Sequence, residues 1–148
     1  MQKIFNAAEK LFFYILIVCL ISFVYFNMLP MNNTILMMGF ILAVFYFVVN
    51  FYVGYKYELT LLEALIVGII GCSVGVFLGI FSVYAFTILN NESLALSLIM
   101  PYYSPTISVV RLVLKDITIA YPFIIMLFNI LLVVIGAISK KIVNKLRH

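Results

Sequence analysis

Charge is scarce in this chain, and histidine scarcer. Nine Lys and Arg residues with five Asp and Glu residues make up only 9% of the 148 positions, and the one histidine is His148. No Ser–His pair, no paired carboxylates inside an apolar run and no glycine loop of phosphate-binding form can be assembled from what is present, so catalysis is not expected. The two cysteines, Cys19 and Cys72, are too few for a disulfide framework or a four-ligand zinc site. Both fall inside apolar runs, where an isolated cysteine serves as a small packing residue. Neither a metal nor a cofactor is expected.

What the chain has instead is apolar length. Hydrophobic residues make up 67% of the composition and concentrate in four runs: Leu11 to Leu29, Ile35 to Val53, Leu61 to Leu89 and Ile117 to Ile138. Each matches or exceeds the roughly 20 residues a helix needs to cross about 30 Å of hydrocarbon. The expected fold class is therefore an all-α integral membrane protein. It has one domain over 1–148, a small bundle of four transmembrane helices at about 11–29, 35–53, 61–89 and 117–138. The first run follows Lys3 and Lys10 as a signal peptide would, but no small-residue cleavage pattern follows Phe26-Asn27-Met28-Leu29-Pro30, so it is expected to be a retained span.

Basic residues set the expected orientation, because Lys and Arg near span ends are held on the cytoplasmic side. With the N-terminus inside, Lys3, Lys10, Lys56, Lys140, Lys141, Lys145 and Arg147 are cytoplasmic and only Arg111 and Lys115 lie outside. Both termini are then cytoplasmic. The net charge of +4 needs no nucleic-acid partner, since the tail from Lys140 to Arg147 would lie against an anionic inner leaflet. The ten tyrosines are read as interfacial anchors, with Tyr52, Tyr55 and Tyr57 at the inner boundary and Tyr25, Tyr84, Tyr102, Tyr103 and Tyr121 at the outer one.

The one long connection, Asn90 to Asp116, is not an ordinary loop. A fifth span there would put the basic tail outside and carry Pro101, Pro105 and Arg111 through lipid. Ser104, Ser108, Arg111 and Lys115 recur at helical spacing among apolar residues. The expectation is an extracytoplasmic interfacial helix over about 94–116 between spans 3 and 4, or a shallow re-entrant turn.

Three groups of residues stand out as candidate sites. Gly71, Gly75 and Gly79, spaced four apart and continued by Gly68 and Ser82, form a strip of small residues that lets another helix backbone approach closely, either within the chain or from a partner. Glu63, Asn129 and Asn50 are the polar intramembrane candidates. Thr60-Leu61-Leu62-Glu63 has capping-box spacing, which competes with a proton-coupling role for Glu63. Asn129 in mid-span must face protein or water. Arg111 and Lys115 would form an outer cationic face, and with Thr118 and Asn129 could make one inward stripe were the helix not interrupted at Pro122.

Leu61-Leu62-Glu63-Ala64-Leu65 and the glycine series after it resemble one span of FtsX-type permease domains, over about one helix of the four. The long cytoplasmic coupling segment of those permeases has no counterpart in Gly54 to Leu59, and the likeness implies no more than shared membrane-helix composition. The expected role is a non-catalytic accessory or structural subunit, partnered by the lipid bilayer and by another membrane protein or copies of itself. The rival expectation is a small oligomeric channel or transporter using Asn129, Glu63 and the Arg111/Lys115 mouth.

Overall fold

Proline 30 ends the first helix. Steric conflict with a proline ring pushes the preceding residue out of the helical region, and Leu29 is extended (φ −111°, ψ 142°), closing α1 (Gln2–Met28). Asn32 then caps α2 (Asn33–Lys56), its side-chain oxygen accepting from the Ile35 N–H at 2.9 Å. In the computed structural model, residues 1–113 and 120–146 are described, and every regular element among them is helical. The remaining elements are α3 (Leu61–Gly71), α4 (Ser73–Thr87), α5 (Glu92–Tyr103), a 3-10 turn (Ser104–Thr106), α6 (Ile107–Val113) and α7 (Ala120–Leu146).

Four helical runs are long and apolar enough to cross a membrane: Gln2–Met28, Asn33–Lys56, Glu92–Leu112 and Ala120–Leu146. The expected third span is not one helix. Leu61–Gly71 and Ser73–Thr87 pass the same test together but are bent by 54°. The break falls at Cys72 (φ −85°, ψ 4°), between Gly71 and Ser73, where a residue without a side chain and a small polar one make departure from helical geometry least costly. Nor is Gly54 in a link, because α2 continues through it to Lys56.

One short loop, between α2 and α3, gathers the ends of two further helices. Glu58, in the left-handed region at φ 48°, offers its backbone carbonyl to Lys3 Nζ at 2.6 Å. Its carboxylate Oε1 lies 3.5 Å from Lys140 Nζ and accepts from Asn144 Nδ2 at 3.2 Å. The start of α1 and the last turns of α7 therefore stand at the same end of the bundle. The hydrogen bond from Asn144 and then the charge of Lys140 hold the Glu58 carboxyl below the usual carboxylate range.

Contacts along α7 give the path of the remaining elements. Gly68 faces Ile130, Cys72 Sγ points to the Met126 carbonyl at 3.9 Å, and Gly79 faces Phe123, so α3 and α4 climb together away from Glu58. α5 returns beside α4: Ser82 Oγ donates to the Ala95 carbonyl at 2.7 Å, Gly79 meets Ile99, and Gly75 meets the ring of Tyr102. Pro101 removes a hydrogen bond inside α5, and with Pro105 it marks the place where the chain tightens into the 3-10 turn. α6 then carries Ser108 up against Gly39, near the start of α2.

The closest backbone approach is between α2 and α7. A Cβ at Gly54 would strike the carbonyl oxygen of Val133, and a Cβ at Gly136 would strike that of Phe51. Val53, Val133 and Ala137 pack around this contact at 1%, 0% and 1% exposure. The obstruction is backbone on both sides, which no rotamer change relieves. Gly54→Ala is expected to destabilise the bundle by about 1–3 kcal/mol, the range for overpacking a filled interior. Thermal melting in detergent micelles checks this, and a melting temperature equal to the wild type would refute the close contact.

Candidate functional site

Polar side chains of three apolar helices meet at one place. Asn129 of α7 donates through Nδ2 to Tyr46 Oη of α2 at 2.8 Å and to Tyr102 Oη of α5 at 3.3 Å. All three are at most 1% exposed. One turn along α2, Asn50 is fully buried and donates to the Tyr46 carbonyl at 2.8 Å. On the α1 side, Cys19 Sγ donates to the Tyr102 carbonyl at 3.3 Å, while Ser104 Oγ reaches the Cys19 carbonyl at 3.0 Å and the Pro101 carbonyl at 2.9 Å. Among the described residues, four buried side-chain polar atoms have no hydrogen-bond partner: Asn129 Oδ1, Asn50 Oδ1, Ser22 Oγ and Ser108 Oγ. Turning the Asn129 amide over does not remove the deficit, because Oδ1 would then accept from the two hydroxyls and Nδ2 would be stranded.

This cluster can orient dipoles and lock three helices together. It holds no carboxylate, imidazole or amine, so it carries no fixed charge for an ion and no group that titrates near neutrality. Among the described residues, no three His, Cys, Asp or Glu side chains come together, and both cysteines are free and buried.

Of the residues singled out in the sequence, Asn129 and Asn50 lie in or beside this cluster and Glu63 does not. Glu63 is half-buried in the first turn of α3, where its Oε2 accepts from the Thr60 N–H at 2.8 Å and its own N–H donates to Thr60 Oγ1 at 3.3 Å, a reciprocal capping box. The small-residue strip is split by the Cys72 break and filled throughout by the chain itself. Gly68 takes Ile130, Gly71 takes Leu11, Gly75 takes Tyr102, Gly79 takes Phe123 and Ile99, and Ser82 takes the Ala95 carbonyl. Arg111 and Asn129 do not share one helix stripe, since α6 runs toward the Pro30 end, with Ser108 at Gly39, and α7 runs away from it, from Phe123 at Gly79 to Asn144 at Glu58; Lys115 and Thr118 lie outside the described residues. Arg111 is exposed. Pro122 lies in the first described turn of α7, and the residues before Ala120 that decide whether it interrupts a longer helix lie outside the described residues.

Two further expectations need correction. The tyrosines are not all anchors: Tyr46 and Tyr102 are interior hydrogen-bond acceptors. Nor is the expected polar face after Tyr103 wet throughout: Ser104 and Ser108 are fully buried, as is Thr106 beside them, while Arg111 is exposed and Lys115 lies outside the described residues. A short hydroxyl side chain can turn inward and bond a nearby carbonyl, as Thr106 does to Tyr103 at 2.8 Å, so its spacing alone does not say which side of a helix is wet.

No family model, no curated protein and no solved structure matches the chain.

Removing one acceptor from the cluster leaves a buried amide hydrogen without a partner. Tyr46→Phe is expected to cost about 1–2 kcal/mol, the range for interhelical hydrogen bonds in membranes and for stranded polar groups. Melting of the purified variant measures it, and no loss of stability would mean the Asn129–Tyr46 bond contributes nothing.

Proposed function

We propose that the chain is a non-catalytic, multi-pass membrane protein acting as an accessory or structural subunit, through contact of its apolar exterior with partner membrane proteins or with copies of itself. One observation carries this: the buried amides and the glycines of the helices are taken up by the chain's own interior, and what faces outward is mostly apolar, with Ser73, Thr87 and Ser97 among the exposed exceptions. On α2 that exterior includes Phe40, Ile41, Val44 and Phe45, and on α7 Ile124, Leu127 and Leu131, all at least 44% exposed. A transport path would need polar groups in series. Between Glu63 and Asn129 stand Ala64 and Val67, both at 0% exposure, with Ile130 packed on Gly68.

The experiment is ion and proton flux in proteoliposomes, with Glu63→Gln as the discriminating variant. No flux above protein-free vesicles is expected. Flux in the wild type that Glu63→Gln abolishes, in a variant that melts like the wild type, would install the channel or transporter reading in its place.

The proposal includes a topology: four crossings, both termini cytoplasmic, and a re-entrant segment from α5 to α6. Support comes from Glu58, whose contacts with Lys3, Lys140 and Asn144 bring the start of α1 and the end of α7 to one end of the bundle, as an even number of crossings would. Support for the re-entrant segment comes from depth. Tyr102 meets Asn129, while Ala95 before it pairs with Ser82 and Ser108 after it sits at Gly39, both nearer the Pro30 end. Cytoplasmic termini follow from Lys3, Lys10, Lys56, Lys140, Lys141 and Lys145 at the Glu58 end. Single cysteines in the tail and at Asn90 to Ser93, in a background lacking Cys19 and Cys72, should react with an impermeant reagent from opposite sides. Labelling of both from the outside overturns the topology.

A further inference from the structure

A groove between α1 and α2, of about 250 Å³, is lined by Tyr14, Phe45, Val48, Val49 and Tyr52. Its walls are apolar along the helices, and its character changes at the end nearest Glu58. One turn beyond Tyr52 on α2 stands Lys56, its ammonium 5.6 Å from the centre of the Tyr52 ring. One turn before Tyr14 on the antiparallel α1 stands Lys10, on the same side of its helix because residues four apart are stacked. Both lysines are exposed, and among the described residues neither is in an ion pair, whereas Lys140 is engaged by the Glu58 carboxylate and Lys3 by the Glu58 carbonyl.

An apolar slot running along two helices and ending at two unpaired cations has the chemical layout of a phospholipid. We propose that this groove is a binding site for an anionic phospholipid, with an acyl chain against Phe45, Val48 and Val49 and the headgroup phosphate between Lys10 and Lys56. A docked partner helix fits less well, since it would cover the slot and leave both cations to find carboxylates at one level. The groove at Ile15, Cys19, Leu78 and Tyr102, of about 210 Å³, is comparable in size but has no charged residue at either end, so nothing in it selects an occupant. The tail lysines Lys141 and Lys145 attract any anionic surface without a slot behind them. The site rests on α1 and α2 crossing the bilayer, which a single cysteine at Met31, in the loop between them, tests separately by labelling from the side opposite the tail.

Native mass spectrometry of the full chain, titrated in mild detergent with phosphatidylglycerol or with phosphatidylcholine of the same acyl chains, reads the preference directly. Near an anionic headgroup each lysine is worth on the order of fivefold in affinity, so the wild type should retain phosphatidylglycerol well above phosphatidylcholine. Lys10→Gln combined with Lys56→Gln should bring the two lipids level, and Lys141→Gln combined with Lys145→Gln should leave the preference intact. Val48 is 54% exposed, so Val48→Trp can fill the slot without disturbing the interior, and it should lower retention of both lipids. Equal retention of the two lipids by the wild type overturns the site, as does a preference that follows the tail pair instead of the groove pair. Should the groove pair fail to fold, unchanged lipid retention in Val48→Trp overturns it alone.

Discussion

Helices in lipid gain little from burying carbon against carbon, because the hydrocarbon around them is as apolar as the side chains they would exchange it for. They hold together where backbones come close enough for dispersion to accumulate. In this chain that place is the α2–α7 contact, where Gly54 admits the Val133 carbonyl and Gly136 admits that of Phe51. Two turns from it, the same pair of helices brings Tyr46 and Asn129 within 2.8 Å. The polar cluster depends on the glycine contact, since a separation increased by one methyl group would place hydroxyl and amide beyond hydrogen-bonding reach.

The third member of the cluster arrives by a different route. Tyr102 is held from behind by the Cys19 thiol on its carbonyl and in front by Asn129, and its ring fills the hollow at Gly75. The prolines at 101 and 105 shape the turn that lets α5 stop at this depth and α6 leave in another direction. Ser104, next in the chain, fastens the same turn to α1 through the Cys19 carbonyl. A buried backbone turn would ordinarily carry a heavy penalty for unpaired carbonyls in an apolar setting. Here hydroxyl and thiol side chains supply the missing donors.

Apolar run lengths made the long apolar helices legible in the sequence, because a run of about 20 such residues has few other uses. The capping box at Thr60 and Glu63 was legible for a similar reason, being a local device within four residues. What was not legible depends on which side of a helix faces protein. Gly54 and Gly136 have no neighbouring glycine at a spacing of four and so make no pattern on their own helices; the pattern exists only between them. Tyr46 and Tyr102 look like any other tyrosine in a list of ten, and only the position of Asn129 separates them from the anchors. Ser104 and Ser108 carried a real periodicity whose polarity pointed inward, where Ser104 supplies a missing donor and Ser108 fills the space at Gly39 without one.

The bend at Cys72 bears on a quantity that no hydrogen bond records, the hydrophobic thickness the protein matches. The 27 positions from Leu61 to Thr87 would, as one straight helix, reach about 40 Å, well past a hydrocarbon layer of about 30 Å. With α3 standing along the membrane normal, its 11 residues rise about 16 Å, and the 15 residues of α4, inclined by 54°, add about 13 Å. Set in a bilayer in that orientation, the broken helix would match an ordinary hydrocarbon layer without thickening the lipid around it or tilting the whole bundle, the two accommodations an unbroken segment of that length would impose.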